Sequence, residues 1–145
     1  MIWRLTRNKC VDSLTLRWLR QFLRMNVDII SNICKALPLV TEDIKWGNDL
    51  CFMIAEKLFC AVSLETPLKV SFKVTGEEFD ELSSSPGIIP APYAARHKWI
   101  MVEDTNRLSK KQWEHYICQS YNLVRAKISK KKLAATELGR SRIRR

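Results

Sequence analysis

The chain has 145 residues, of which 46% are hydrophobic and 28% are charged, and its formal net charge is +10. This length and composition predict one globular domain with its own hydrophobic core and exclude a disordered chain. No apolar run approaches the roughly 18 residues of a transmembrane helix, and the cysteines are odd in number and scattered without a CxxC pair. We therefore expect reduced thiols in a cytoplasmic protein.

The excess positive charge lies at the two ends of the sequence. Residues 1–24 carry a net charge of +5 and residues 129–145 of +6, whereas residues 25–128 carry −1. A strongly basic chain predicts a polyanionic partner, and here the ends supply the basicity. We interpret the chain as a basic leader (1–24), a folded domain (25–128) and a basic, mobile tail (129–145).

The leader has three interpretations. Val11, Leu14 and Trp18 recur at helical spacing among arginines, which is typical of an amphipathic helix at a membrane surface. An Arg-rich, acid-poor N-terminus is also typical of a transit segment. The interpretation that we favour is a misassigned start codon, with the domain beginning at Met25, because Asn26 directly after it is a good helix N-cap.

Helix and strand signals follow one another through the domain. Apolar residues at helical spacing predict a first helix over residues 27–37, which Pro38 ends. Extended segments are predicted at residues 42–46, 50–55, 57–63, 68–74, 88–93 and 98–103. The runs 50–55 and 57–63 are close enough in sequence to form a hairpin.

Two capping boxes predict the remaining helices. Thr75 with Glu78 opens a short helix, and Ser109 with Gln112 opens a long one that runs to about residue 128. This order of elements predicts an α+β fold. We expect a two-layer sandwich in which the N- and C-terminal helices pack on one face of an antiparallel sheet.

Several motifs in sequence order resemble one known family. They are Ala36-Leu-Pro38, Trp46-Gly47, Lys57-Leu-Phe59, Pro86-Gly-Ile-Ile-Pro-Ala-Pro-Tyr93 and Ser120-Tyr121. Together they resemble the MmcQ/YjbR family over about residues 25–131. The resemblance implies a CyaY-like (frataxin-like) fold, with two helices on a sheet of about six strands. It also implies DNA binding in a proposed double-wing mode, for which there is no agreed set of binding residues.

Basic residues near two predicted strands form a candidate nucleic-acid site. Lys69 and Lys73 lie on the polar face of one strand, and Arg96 and Lys98 precede a strand that carries Trp99. If these strands are neighbours, the cations can contact phosphates and the indole can stack on a base. The alternative is a solvated sheet face with the indole in the core.

The basic tail is a second candidate site for nucleic acid. Its first cluster is Lys130, Lys131 and Lys132. Clustered cations bind DNA, RNA or anionic lipid through counterion release, without sequence preference. A solubilising, disordered end is the alternative interpretation of the same residues.

Metal and catalytic signals are weak. His115 and Cys118 are spaced as half of a metal site, but no second pair accompanies them. The sequence contains no GxSxG, P-loop or GxGxxG motif. Together with the DNA binding that the family resemblance implies, this predicts a non-enzymatic DNA-binding protein that uses the basic sheet face and the basic tail, without cofactor or metal. The alternative is a protein- or small-ligand-binding module, which the near-neutral segment 25–128 favours and which a deep apolar pocket near Tyr93 and Trp99 would support.

Overall fold

The computed structural model describes residues 26–143, with side chains through residue 140. In chain order the elements are α1 (Val27–Lys35), β1 (Val40–Lys45), β2 (Asp49–Ile54), β3 (Lys57–Ser63), β4 (Lys69–Lys73), α2 (Gly76–Ser83), β5 (Ile88–Pro90), β6 (Trp99–Val102), α3 (Lys110–Arg125) and α4 (Lys130–Ile143). Single 3-10 turns lie at Ala95–His97 and Thr105–Arg107.

The strands form one antiparallel sheet in the order β1-β2-β3-β4-β6-β5. The register places Cys60 of β3 opposite Phe72 of β4, which in turn lies opposite Ile100 of β6. Helices α1 and α3 pack over the same face of this sheet. The predicted α+β fold is confirmed, whereas its finer assignment as CyaY-like stays a prediction.

The core lies between the sheet and α3. Val70 and Phe72 alternate along β4 with half-exposed residues, so both side chains face the helices and are fully buried. From α3, Trp113 is also fully buried, and its ring meets the Phe72 ring edge-on at a centroid distance of 5.9 Å. These aromatic and branched side chains remove the largest apolar areas from water and hold the two layers together.

Local sequence signals account for where the helices begin and end. Both capping boxes form, with Thr75 paired to Glu78 and Ser109 paired to Gln112. Helix α1 ends two residues earlier than predicted because Pro38 disfavours a helical conformation in the residue before it. Helix α3 ends at Arg125 rather than near residue 128, and tighter i to i+3 hydrogen bonds continue the chain as far as residue 128.

The two ends of the chain differ in what the structure describes. The leader, residues 1–24, lies outside the described residues. In the tail, to which sequence analysis assigns no element, α4 begins at a cap in which the Ser129 hydroxyl accepts a hydrogen bond from the Lys132 N–H at 3.2 Å. Leu133, one residue further, is partly buried and packs against the core. The mobility of the tail stays a prediction.

The helices within residues 26–143 are all too short or too polar to cross a membrane.

Candidate functional site

An irregularity in β3 shapes one end of the sheet. Phe52 of β2 lies opposite Cys60, but the next residue, Met53, lies opposite Leu58, so Phe59 is an extra residue in β3. Such a bulge bends its strand and interrupts the ladder of backbone hydrogen bonds. The sheet is therefore distorted just where β3 begins.

A buried serine on α3 satisfies the backbone groups at this point. The Ser120 hydroxyl donates to the carbonyl oxygen of Phe59 at 2.6 Å and accepts from the N–H of Lys73 at 2.9 Å. Lys73 lies beyond the last paired position of β3 and β4, so its N–H has no partner on β3. One side chain thus joins α3 to two strands and holds the end of β4 in place.

A cleft of about 440 Å³ lies at this end of the sheet. Its polar lining consists of three lysines and one histidine: Lys57, Lys73, Lys127 and His97. Its less polar walls are Leu58, Trp99, Val124 and Ile128. No carboxylate lies among the described residues that line it. We call this site the cationic cleft.

Turns and sheet order bring these residues together from distant parts of the sequence. Lys57 follows the tight turn of Ala55 and Glu56, which both have the positive φ that twisted hairpins favour. Lys73 ends β4 and lies directly opposite Trp99 in the antiparallel ladder. Lys127 follows the last turn of α3. The cleft therefore depends on four separate elements meeting.

The Lys73 ammonium group is held close to another positive charge. Its Nζ donates a hydrogen bond to the carbonyl oxygen of His97 at 3.0 Å. Partial burial lowers the pKa of Lys73, and the charge and close approach of the Lys127 amine lower it further. The two ammonium groups repel each other, and no carboxylate in the described lining offsets this repulsion. An anion bound between them would therefore be stabilised by both.

Further cations surround the cationic cleft. Arg96 precedes His97 and is exposed, and Lys130 and Lys131 are exposed in the first turn of α4. Lys132 forms an ion pair of 3.6 Å with Glu56 in the turn before Lys57. We call the cleft residues together with these four cations the cationic pole. The first turn of α4 has no acidic residue, although positive charge is unfavourable at a helix N-terminus.

The residues predicted as a nucleic-acid site divide into two groups. Lys73 and Trp99 both line the cationic cleft. Arg96 is the chain neighbour of the lining residue His97, and the three tail lysines closely follow the lining residue Ile128. Lys69 lies at the opposite end of β4, roughly 13 Å away at the rise of a strand, and is 3.7 Å from the Glu103 carboxylate. Lys98 lies over the Phe79 ring of α2 at 4.9 Å and is not part of the cleft lining.

Three of the four polar cleft residues were not predicted as site residues from the sequence: Lys57, His97 and Lys127. Only Lys57 could have been found from the local sequence. It directly follows a predicted hairpin turn, and residues next to a turn are expected to be exposed. The other two have no sequence signal, because neither the pairing of β4 with β6 nor the point where α3 leaves the sheet is visible in the chain order. The fully exposed Tyr93 does not line the cleft.

The two residues considered for a metal site lie elsewhere. His115 and Cys118 are exposed on α3, and Cys118 accepts a weak hydrogen bond from Asn122 at 3.8 Å. Over the part of the chain that the structure describes, no group of three or more His, Cys, Asp or Glu residues is placed to hold a metal ion.

The comparisons with known proteins agree with this architecture. The YjbR family model matches residues 35–123. The chain therefore belongs to the YjbR family.

Two solved structures share the fold. A crystal structure of a Deinococcus radiodurans protein with a DUF419 domain is similar at 21% identity and a TM-score of 0.70, covering 79% of this chain and 89% of that one. A Pseudomonas syringae protein is similar at 20% identity and a TM-score of 0.58, covering 69% of this chain and 99% of that one. No curated protein matches the sequence. At these identities the likeness concerns the fold alone.

Proposed function

We propose that this protein binds nucleic acid, and DNA in particular, through the cationic pole, without catalysing a reaction. The observation that supports the proposal is the convergence of Lys57, Lys73, Lys127 and His97 on one cleft that has no carboxylate in its described lining. The tail lysines add charge beside it. Phosphate contacts require cations of this kind. Because segment 25–128 is otherwise close to neutral, the clustering of these cations in one cleft supports a localised contact region for nucleic acid.

The location that we propose is cytoplasmic. Cys34, Cys51, Cys60 and Cys118 are all free thiols, and three of them are buried. Thiols persist unpaired in a reducing compartment, which supports a cytoplasmic location.

Counterion release predicts how strongly binding should depend on salt. Each neutralised phosphate contributes about −0.9 to the slope of log K against log salt concentration on duplex DNA. Three to five contacts at the cationic pole would therefore give a slope of about −3 to −4.5. A slope of this size is large enough for the loss of individual contacts to be measured.

The test is fluorescence anisotropy of a labelled DNA duplex with the full chain at several salt concentrations. One variant carries Lys57→Met, Lys73→Met and Lys127→Met. The matched control carries Lys69→Met, Lys110→Met and Lys111→Met. Both variants lose three positive charges, but the control lysines lie at the other end of β4 or at the start of α3, whose 16 residues span roughly 24 Å.

We expect the cleft variant to bind DNA at least tenfold more weakly than the unaltered protein. The slope of log K against log salt concentration should become less steep by about 2.7, and the control should change little in either quantity. Equal losses in both variants would mean that net charge, and not the cationic pole, determines binding, and the proposal would then be wrong.

A second candidate function is the binding of a small anionic ligand. The cleft volume of about 440 Å³ lies within the range of roughly 300 to 1,000 Å³ that is usual for small-molecule sites. Its lining combines apolar walls with a few polar groups, as such sites do.

A further inference from the structure

We propose that the cationic cleft binds a phosphomonoester, the doubly charged phosphate at the end of a nucleic-acid strand or on a free nucleotide, with the attached nucleoside against Trp99. For a strand end, the inference rests on the proposed function. For a free nucleotide it stands independently of that function.

The number and placement of the cations match a terminal phosphate. A phosphomonoester carries a charge of about −1.5 to −2 at pH 7 and presents three strong acceptor oxygens, whereas a backbone phosphodiester carries only one charge. The cleft offers three lysines from three different elements, so they approach the ligand from several sides. A dianion can accept hydrogen bonds from several of them at once.

The close pair of amines supports the same assignment. Lys73 and Lys127 lie near enough for their charges to disfavour one another, and the described lining contains no carboxylate that would separate them. The Lys73 side chain is fixed there by its 3.0 Å hydrogen bond to the His97 carbonyl oxygen. A single negative charge would offset one amine, and a dianion would offset both.

The cleft lies between one end of the sheet and the end of a helix. On one side lie the beginnings of β3 and β6 and the end of β4, and on the other side lies the C-terminal end of α3 with Val124 and Ile128. A phosphate between these walls can therefore meet Lys57 and Lys73 from the sheet and Lys127 from the end of the helix.

Trp99 is positioned for the nucleoside part of the ligand. It lies directly across the ladder from Lys73, on the same side of the sheet, and its half-buried indole lines the cleft. Aromatic side chains of this kind stack on bases without strong sequence preference. Lys73 and Trp99 thus form neighbouring subsites for phosphate and base.

The experiment has an oligonucleotide arm and a small-molecule arm. In the first, the full chain is titrated into a labelled single-stranded oligonucleotide that ends in a 5′-phosphate, a 3′-phosphate or two hydroxyl groups, with the label inside the strand. In the second, isothermal titration calorimetry compares adenosine monophosphate, inorganic phosphate and adenosine. Each arm includes Lys73→Met, Lys127→Met, Trp99→Leu and the control Lys69→Met.

We expect a phosphorylated end, or adenosine monophosphate, to bind about tenfold or more tightly than its unphosphorylated counterpart. Both cleft variants should abolish that difference, and Lys69→Met should retain it. Preference in the oligonucleotide arm identifies a strand end, and preference in the small-molecule arm alone identifies a free nucleotide.

Other outcomes would overturn the inference in distinguishable ways. If oligonucleotides bind equally with and without a terminal phosphate and adenosine monophosphate does not bind, the inference is wrong and the proposed function stands. If neither arm shows binding, the inference is wrong, and the duplex titration alone then decides whether the proposed function stands. If inorganic phosphate binds as tightly as adenosine monophosphate, and Trp99→Leu does not weaken either, the assignment of the nucleoside to Trp99 is wrong.

Discussion

The Ser120 hydroxyl donates a hydrogen bond of 2.6 Å to the carbonyl oxygen of Phe59, the extra residue of the β3 bulge. The same hydroxyl accepts from the N–H of Lys73 at 2.9 Å. It therefore satisfies a donor and an acceptor where regular strand pairing is lost. Because Lys73 lines the cationic cleft, a residue of the core also positions a residue of the candidate site.

Replacing this serine tests that connection. We expect Ser120→Ala to lower the free energy of unfolding by about 1–3 kcal/mol, since Ser120 is fully buried and the substitution leaves two backbone groups without partners. Denaturant unfolding followed by circular dichroism measures the change. The control is Ser84→Ala on an exposed residue, which should stay within about 0.5 kcal/mol of the unaltered protein. A change no larger than that for Ser120→Ala would contradict the role of the hydroxyl.

Removing one of the two close amines should separate stability from binding. We expect Lys127→Met to leave the free energy of unfolding unchanged or to raise it by up to about 0.5 kcal/mol, because it removes repulsion at a largely solvated site. The same change should weaken the binding of nucleic acid or nucleotide. Thermal unfolding and anisotropy on one preparation measure the two effects. Loss of stability together with loss of binding would indicate that the lysine is structural.

The lysine at the far end of β4 provides the comparison for this experiment. Lys69→Met breaks the exposed 3.7 Å pair with Glu103, and such pairs contribute between about 0 and 1 kcal/mol. We expect a small loss of stability and unchanged binding, the opposite of the result for Lys127.

Binding to the cleft should weaken at alkaline pH. The pKa of Lys73 is lowered from 10.5 in the free protein, so its protonated form is less favourable in the folded state than in the unfolded chain. This unfavourable contribution to stability applies below the folded-state pKa and disappears as the pH rises through that value towards 10.5. A bound anion favours the protonated amine and raises its pKa again. Affinity should therefore fall as the pH rises through the lowered pKa of the free site.

Calorimetric titrations of adenosine monophosphate at constant ionic strength, from about pH 8 upwards, measure this dependence. In this range the phosphomonoester remains doubly charged, so the charge of the ligand stays constant while Lys73 loses its proton. Lys73→Met should show a flatter profile than the unaltered protein. Identical profiles would mean that Lys73 does not contact the ligand.

A carboxylate at the edge of the cationic pole should oppose anion binding. Glu56 is almost fully exposed and pairs with Lys132 at 3.6 Å. We expect Glu56→Gln to strengthen DNA binding by a factor of about two to five, because removal of the ion pair leaves Lys132 available for phosphate. The free energy of unfolding should change by less than about 0.5 kcal/mol, because an exposed ion pair contributes little to stability. Anisotropy measures the affinity. Glu65→Gln, in the exposed loop between β3 and β4 at the opposite end of the sheet, changes the net charge equally, and an equal gain in that variant would assign the effect to net charge.

The amino-acid sequence by itself determined the features that depend only on residues close together in the chain. Thr75 with Glu78 and Ser109 with Gln112 predict helix starts because a capping box needs only two residues three positions apart. The alternation along β4 predicts its buried face for the same reason. The order of family motifs predicts the class of fold.

Only the tertiary structure decided which charged residues meet. It places Lys73 beside Trp99 because β4 pairs with β6 across the inserted α2 and β5, and it brings Lys57 and Lys127 there through a bulge and a helix end. It pairs Lys69 with Glu103 and packs Leu133 of α4 against the core. Strand order and helix position follow from burying apolar area along the whole chain, so no local pattern records them.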